Sequence, residues 1–262
     1  MIPYFEVQNF HLGSITIQTW GLMVALGFLF GAFASVWLAK KRGLEPKIVW
    51  DSLTWIIVGA LIGARLIHVI FYEPAYFAGN PLEIIAIWNG GLSSVGGFIG
   101  ALIGGITVLK RKGVNMWRYA DVMVFGLPLG LFIGRIGCFL KHLHPGTPTD
   151  FFPGVRYPDG IVRHDLGLYL SLNGLLLFLV FLIMFKRGIS EKVFIMTFLL
   201  WYGTSRFALD FLRAYDGPIV DARYLGLTPA QYVSIMMIFA GLYLFYFTDS
   251  RMNRHSQKTR SS

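Results

Sequence analysis

Long apolar segments, separated by short polar ones, dominate the sequence. Seven of them run over residues 16–39, 48–71, 92–109, 120–140, 166–185, 193–212 and 229–247. A helix needs about 20 apolar residues to cross a bilayer, so the pattern predicts seven transmembrane helices. We therefore expect an all-α, polytopic membrane protein in which residues 1–262 form a single integral membrane domain.

Basic residues are concentrated in alternate connections between these segments. Eleven Lys and Arg residues lie in KKRGLEPK, KRKGVNMWR and FKRGISEK and four in the C-terminal tail, together 15 of the 23 in the chain. By the positive-inside rule, these loops and the basic tail, residues 248–262, are cytoplasmic, and the N-terminus is external. The long polar connection, residues 141–165, is then an external loop, and connections of that length are usually functional.

Composition supports a membrane protein and narrows the chemistry. The chain is 55% hydrophobic and 14% charged, with a mean hydropathy of +0.59, which is too apolar for a soluble domain. The net charge of +9 is explained by the basic loops, so no nucleic-acid partner is expected. The single cysteine, Cys138, excludes an intramolecular disulfide and any cysteine-based metal cluster, and we expect it in the core. No metal or organic cofactor is predicted.

The first ten residues, MIPYFEVQNF, lack the basic region that opens a cleavable signal peptide. We expect no cleaved leader there. Their mixture of aromatic and polar residues instead indicates a short amphipathic segment at the membrane surface.

The most informative charges lie within or at the ends of the apolar segments, where an arginine is costly and usually functional. Arg135 ends a helix face on which glycine recurs at every fourth position. Arg206, Asp210 and Arg213 share one face of the sixth segment, so we expect Asp210 to hold one or both guanidiniums. Guanidinium forks match phosphate oxygens, which suggests a site for a phosphorylated headgroup. The alternative is that the glycines pack helices and the charges form a structural ion pair.

Several weaker candidates remain. Arg65 has no carboxylate partner in its segment, which favours a structural role. NGGLSSVGGFIGALIGG contains more glycine than packing needs, and Ser94 within it can donate a hydrogen bond to a ligand. His142, His144 and His164 lie in or beside the external loop, and each is a candidate general base near neutral pH. A loop histidine is more often simply solvated, and the spacing of these three is not a recognised zinc pattern.

Six motifs, in this order, resemble one known family: GARLIHVIFY, WNGGLSSVGGFIG, GLPLGLFIGRIG, RHDLGLY, YGTSRFALDFLR and LTPAQYVS. Over about residues 20–234 the chain is similar to bacterial phosphatidylglycerol–prolipoprotein diacylglyceryl transferases. The resemblance implies transfer of a diacylglyceryl group from phosphatidylglycerol to the lipobox cysteine thiol of a preprolipoprotein. A thioether forms and glycerol phosphate leaves. The resemblance also implies residence in the bacterial cytoplasmic (inner) membrane as a multi-pass protein.

The resemblance further implies particular site residues. The two family arginines fall on Arg135 and Arg206, the acidic residue one turn later on Asp210, and a loop glycine on Gly146. The arginines would bind the phosphodiester and stabilise charge on the departing phosphate. Two other interpretations stay open: a non-catalytic phospholipid-binding or lipoprotein-handling paralogue, and a small-molecule transporter.

The chain departs from the family pattern at the position of the proposed base. The family histidine of the third segment is replaced by Val95. At other positions of the family pattern, this chain has Cys138 where the family has an asparagine, Leu143 where it has a glutamate and Trp20 where it has a tyrosine. Its HDLGLYL stands where the family has HPSQLYE. Either one of the three loop-region histidines takes over thiol deprotonation, or the leaving phosphate accepts the proton, or the chain is a divergent paralogue.

Overall fold

The computed structural model describes residues 1–13, 15–87, 90–189, 192–215 and 223–260, with the side chains at 11, 12, 15, 94 and 247–260 outside that description. Within these ranges the chain is mostly helical, as predicted. The α-helices of the described part are α1 (Thr19–Lys41), α2 (Pro46–Phe71), α3 (Pro74–Gly79), α4 (Ser94–Arg111), α5 (Met116–Leu140), α6 (Leu166–Lys186), α7 (Val193–Leu209) and α8 (Pro229–Arg260).

Among the described residues, five helices are long and apolar enough to cross a membrane: α1, α2, α5, α6 and the Pro229–Tyr246 part of α8. They make this a multi-pass membrane protein. The third and sixth predicted segments correspond to α4, with 18 residues, and α7, with 17 residues. The helix α7 is short because it tightens into a 3₁₀ turn, Asp210–Leu212.

Short β-strands, which the hydropathy pattern did not predict, lie between the helices. They are β1 (Ile2–Pro3), β2 (Asn9–Leu12), β3 (Ile15–Gln18), β4 (Pro145–Pro148), β5 (Val155–Arg156) and β6 (Val162–Asp165). The order β1-β5-β6-β4 forms one sheet, and β2 and β3 form a hairpin. The expectation of an all-α protein is therefore corrected. Short strands lie near the N-terminus and between α5 and α6. Strands of two to four residues are too short to give a periodic signal.

The chain divides into two compact units. The first unit comprises Met1–Ala34 and Val124–Ser262, and the second comprises Ser35–Met123. The predicted single domain remains a prediction. Each unit contains its own glycine-mediated helix contact.

In the first unit, α5 packs on α1 backbone to backbone. A methyl group added at Gly27 would lie 2.6 Å from the carbonyl oxygen of Gly130. Gly126 and Gly130 of this face therefore serve close helix packing against α1, which is the simpler of the two interpretations. Aromatic rings fill the core on the other side, where Phe125 lies 5.1 Å from Phe194 between ring centroids.

In the second unit, α2 and α4 approach equally closely. A methyl group at Gly59 would lie 2.3 Å from the carbonyl oxygen of Gly100. The buried Arg65 of α2 donates hydrogen bonds to backbone carbonyls of the segment that leads into α4, at Glu83, Ile84, Ala86, Gly90 and Gly91. Arg65 therefore holds this segment in shape, which supports its predicted structural role.

Candidate functional site

A fully buried carboxylate forms the centre of the candidate site in the first unit. Asp210 opens the 3₁₀ turn after α7 and is 0% exposed. Its Oδ1 lies 2.9 Å from Nη1 of Arg206 and 3.7 Å from Nε of Arg213. The sequence predicted that Asp210 holds one or both guanidiniums. Helical spacing explains the contact with Arg206, whereas Arg213 reaches Asp210 from beyond the 3₁₀ turn. A guanidinium has five N–H donors, so its contact with one carboxylate oxygen does not engage all the donors of Arg206.

A helix cap on α8 holds the second oxygen of this carboxylate. The Thr228 hydroxyl donates to Oδ2 of Asp210 and accepts from the Gln231 backbone N–H at 3.2 Å. The Gln231 side chain accepts from the Thr228 N–H at 2.9 Å and donates to the Phe207 carbonyl at 3.3 Å. Thr228 and Gln231 belong to the family motif LTPAQYVS. Its Thr-x-x-Gln spacing is a capping box, and that signal was available.

Arg135 brings a third guanidinium to the same region. It lies in the last two turns of α5, half-buried, with Nη1 3.9 Å from Sγ of the buried Cys138. Burial lowers the pKa of Arg213, and Asp210 opposes that shift. The positive charges of Arg206, Arg135 and Arg223 add to it. The three arginines therefore act on one another, and with Asp210 they form a cluster with a net charge of about +2.

Gly146 of β4 fixes the backbone that carries Arg213. Residues 146 and 213 form an isolated antiparallel bridge, and the Ala214 N–H donates to the Pro145 carbonyl at 3.3 Å. A methyl group at position 146 would lie 2.6 Å from the Leu212 carbonyl oxygen and 2.7 Å from Cβ of His164. A side chain there would push Arg213 away from Asp210.

Of the three candidate histidines, His142 has both ring nitrogens engaged. Nδ1 lies 2.7 Å from Oδ2 of Asp165, and Nε2 lies 2.8 Å from the Phe5 carbonyl oxygen. The ring stacks on Tyr4 at 4.7 Å between centroids and is buried. Since both ring nitrogens contact protein groups, this geometry favours a structural role for His142, in which it connects the N-terminal segment to residues 141–165, over its predicted role as a base.

Of the other two histidines, His144 contacts the arginine cluster, and His164 lies beside Gly146. Nη2 of Arg213 lies 2.9 Å from Nδ1 of His144. Burial, followed by the charges of Arg213, Arg135 and Arg206, lowers the pKa of His144 to about 3. Nδ1 of His164 lies 2.8 Å from the Tyr169 hydroxyl oxygen, and burial lowers the pKa of His164.

Two positions that the sequence singled out, Ser94 and Val95, lie in the second unit. The side chain of Ser94 lies outside the described part of the chain. Its neighbour Ser93 caps α4 by accepting from the Gly96 N–H at 3.4 Å. Val95, at the family histidine position, is in the first turn of α4 and is 60% exposed. Among the described residues, no three His, Cys, Asp or Glu side chains are grouped to hold a metal ion.

The fold and site define a multi-pass membrane protein with a cationic site suited to a phosphorylated ligand. The family described as prolipoprotein diacylglyceryl transferase matches residues 8–247, and the chain belongs to this family. It is similar to the phosphatidylglycerol–prolipoprotein diacylglyceryl transferase of Aromatoleum aromaticum, with 34% identity over 257 residues, covering 94% of this chain and 96% of the relative. It is also similar to that of Bordetella avium, with 34% identity over 260 residues, covering 96% and 98%. The resemblance drawn from the six motifs is confirmed.

Proposed function

We propose that the protein transfers the diacylglyceryl group of phosphatidylglycerol to the lipobox cysteine thiol of a preprolipoprotein. The reaction forms a thioether and releases glycerol phosphate. The observation that carries this proposal is the cluster of Arg135, Arg206 and Arg213 around the buried Asp210, in a chain of this family. The phosphate group gains negative charge in this reaction. It carries one negative charge as the phosphodiester of the lipid and about 1.5 to 2 as the departing monoester.

The net charge of the cluster favours binding of the departing phosphate monoester over the phosphodiester of the lipid. A site of about +2 attracts the phosphate more strongly as its negative charge grows, and such differential binding accelerates a reaction. The thiolate sulfur attacks the glycerol carbon, the carbon–oxygen bond to phosphate breaks, and its electron pair leaves on the phosphate oxygen. Arg135 and Arg206 stabilise that oxygen through their paired N–H donors.

The thiol proton must leave before or during the attack. A free thiol has a pKa of roughly 8.5, and the guanidiniums lower that of the bound substrate. We assign the proton to His164. Its lowered pKa keeps it neutral at pH 7, and a hydrogen bond from Nδ1–H to the Tyr169 oxygen would leave the Nε2 lone pair to accept.

The role of His164 is tested by His164→Gln, with Tyr169→Phe as the second variant. Loss of a general base lowers turnover by ~10²–10⁴-fold. Because Tyr169 only orients the imidazole, its variant should lose less and should keep the pH dependence of turnover. Normal turnover in His164→Gln would assign the proton to the leaving phosphate instead.

We place the protein in the bacterial cytoplasmic (inner) membrane with seven spans, an external N-terminus and a cytoplasmic C-terminus. The alternating basic loops support this orientation, and the site at the C-terminal ends of α5 and α7 is then external. A reporter fused after Ser262 should be cytoplasmic, and a tag before Met1 should be external. A C-terminal reporter active outside the cytoplasm would contradict the orientation.

The cellular test is complementation of a bacterium depleted of its own diacylglyceryl transferase. The wild-type chain should restore growth and the lipidation of a tagged lipoprotein. Arg206→Lys, expressed at an equal level in the membrane, should not. Absence of lipidation with the well-expressed wild-type chain would contradict the proposal and favour a phospholipid-binding paralogue.

A further inference from the structure

The contact between Arg213 and His144 determines the tautomer of the imidazole. Nη2 of Arg213 lies 2.9 Å from Nδ1 of His144. A guanidinium can only donate, so Nδ1 must accept and carries no proton. A neutral imidazole then has its single proton on Nε2. His144 therefore cannot use Nδ1 as a base, and its other nitrogen already holds a hydrogen.

The surroundings of His144 keep the ring in this neutral state. Three positively charged groups act on it, from α5 (Arg135), from α7 (Arg206) and from the segment after the 3₁₀ turn (Arg213). Burial and these charges oppose a proton on Nδ1, and they lower the pKa of His144 to about 3. The backbone is fixed as well, because the His144 carbonyl accepts from the Leu166 N–H at 3.1 Å.

We propose that His144 is an additional residue of the phosphate site, which orients Arg213 through Nδ1 and donates its Nε2–H to the same phosphate group. This inference rests on the proposed function, because it takes the departing phosphate as the anion. It converts one of the three candidate bases into a hydrogen-bond donor. The ring adds no charge, so the cluster keeps the net charge that matches the phosphate monoester.

Two amide substitutions separate the two ring nitrogens. In His144→Asn the amide oxygen occupies the place of Nδ1 and can still accept from Arg213, but no donor remains at the Nε2 position. In His144→Gln the amide reaches the Nε2 position and can donate, but the acceptor for Arg213 is lost. His144→Leu removes both, and Leu143→Asn introduces an amide at the exposed neighbouring position as a control.

The first measurement is the binding of glycerol phosphate to the purified proteins in nanodiscs, monitored as the shift in the temperature of thermal unfolding. The wild type and Leu143→Asn should bind equally. His144→Asn and His144→Gln should each bind roughly 10–100-fold more weakly, as expected for one lost hydrogen bond to a charged group, and His144→Leu should bind more weakly still. Because this measurement needs no turnover, it tests His144 even if transferase activity is absent.

The second measurement is turnover against pH, between about pH 5.5 and 8.5. The three variants should lower kcat while leaving the shape of the pH profile as in the wild type. Loss of an ionisation near neutral pH in His144→Asn would make His144 a base and overturn the proposal. Unchanged glycerol phosphate binding in all three variants would overturn it as well. If a variant unfolds in nanodiscs, the remaining two decide the outcome.

Discussion

Removing the charge of Asp210 tests whether the arginine cluster is a working site or a structural ion pair. Asp210→Asn preserves the shape of the side chain and its contact with Thr228 but leaves Arg206 without a counter-ion. At 2.9 Å the lost attraction is about 6 kcal/mol at an effective dielectric constant of about 20, before desolvation is subtracted. Breaking a buried pair on one side typically costs about 3–5 kcal/mol, which lowers the apparent Tm by roughly 6–20 °C in a chain of this size.

The second unit supplies a matched control. Nη1 of Arg42 lies 2.7 Å from Oδ2 of Asp121, and the side chains are 14% and 0% exposed. The Arg206–Asp210 pair has corresponding exposures of 12% and 0%. Asp121→Asn should therefore destabilise the protein to a similar extent.

The two variants should differ in activity. In Asp210→Asn the guanidinium of Arg206 loses its orientation, so kcat per folded enzyme should fall by about 10²–10³, as for loss of one transition-state donor. Asp121→Asn should keep a normal kcat at a temperature where both proteins are folded. The assay is release of glycerol phosphate from phosphatidylglycerol, with the folded fraction measured in the same samples. Equal turnover in the two variants would refute a functional role for Asp210 beyond stability.

Three further outcomes follow from the same geometry. Lysine keeps the charge but loses the paired donors, so Arg135→Lys and Arg206→Lys should each lower kcat by about 10²–10³. The double variant should lose much less than the product of the two single losses. Effects that simply multiply would show two separate sites. Gly146→Ala should weaken glycerol phosphate binding by displacing the Arg213 segment, whereas Gly134→Ala, where the added methyl meets no described atom within 4 Å, should bind normally in the same titration. His144 has a folded-state pKa of about 3 against an ordinary 6.5, so the unfolded chain binds more protons between these values. Stability should fall as pH drops from about 6.5, by up to about 1.4 kcal/mol per pH unit, and His144→Asn should flatten that slope in thermal melts.

The sequence predicted the helices and the carboxylate-centred pair because both follow from local periodicity. Arg206 and Asp210 are four residues apart at the end of α7, so their contact needed no knowledge of the fold. Arg213 follows the 3₁₀ turn in extended backbone, and its approach to Asp210 depends on that turn. The short strands were not predicted, because strands of two residues such as β1 pair with chain more than a hundred residues away. Long-range pairing leaves no periodic signal in so few residues.

The three candidate histidines show the same limit of prediction from sequence. His142, His144 and His164 were equivalent by sequence, since all three lie near the external loop. Their partners are the Phe5 carbonyl, the Arg213 guanidinium and the Tyr169 hydroxyl, each fixed by packing. Tertiary contacts, rather than residue type, therefore distinguish the three histidines. They engage both nitrogens of His142, and they are the basis for the donor role proposed for His144 and the base role proposed for His164.

The most direct test of the whole account is formation of a thioether by the purified protein. The protein in nanodiscs containing phosphatidylglycerol is mixed with a lipobox peptide, and the peptide mass and the released glycerol phosphate are measured together. The account predicts a peptide carrying one diacylglyceryl group, with one glycerol phosphate released for each, and neither product from a peptide with serine in place of cysteine. A wild-type protein that binds glycerol phosphate but leaves the cysteine peptide unmodified would contradict it.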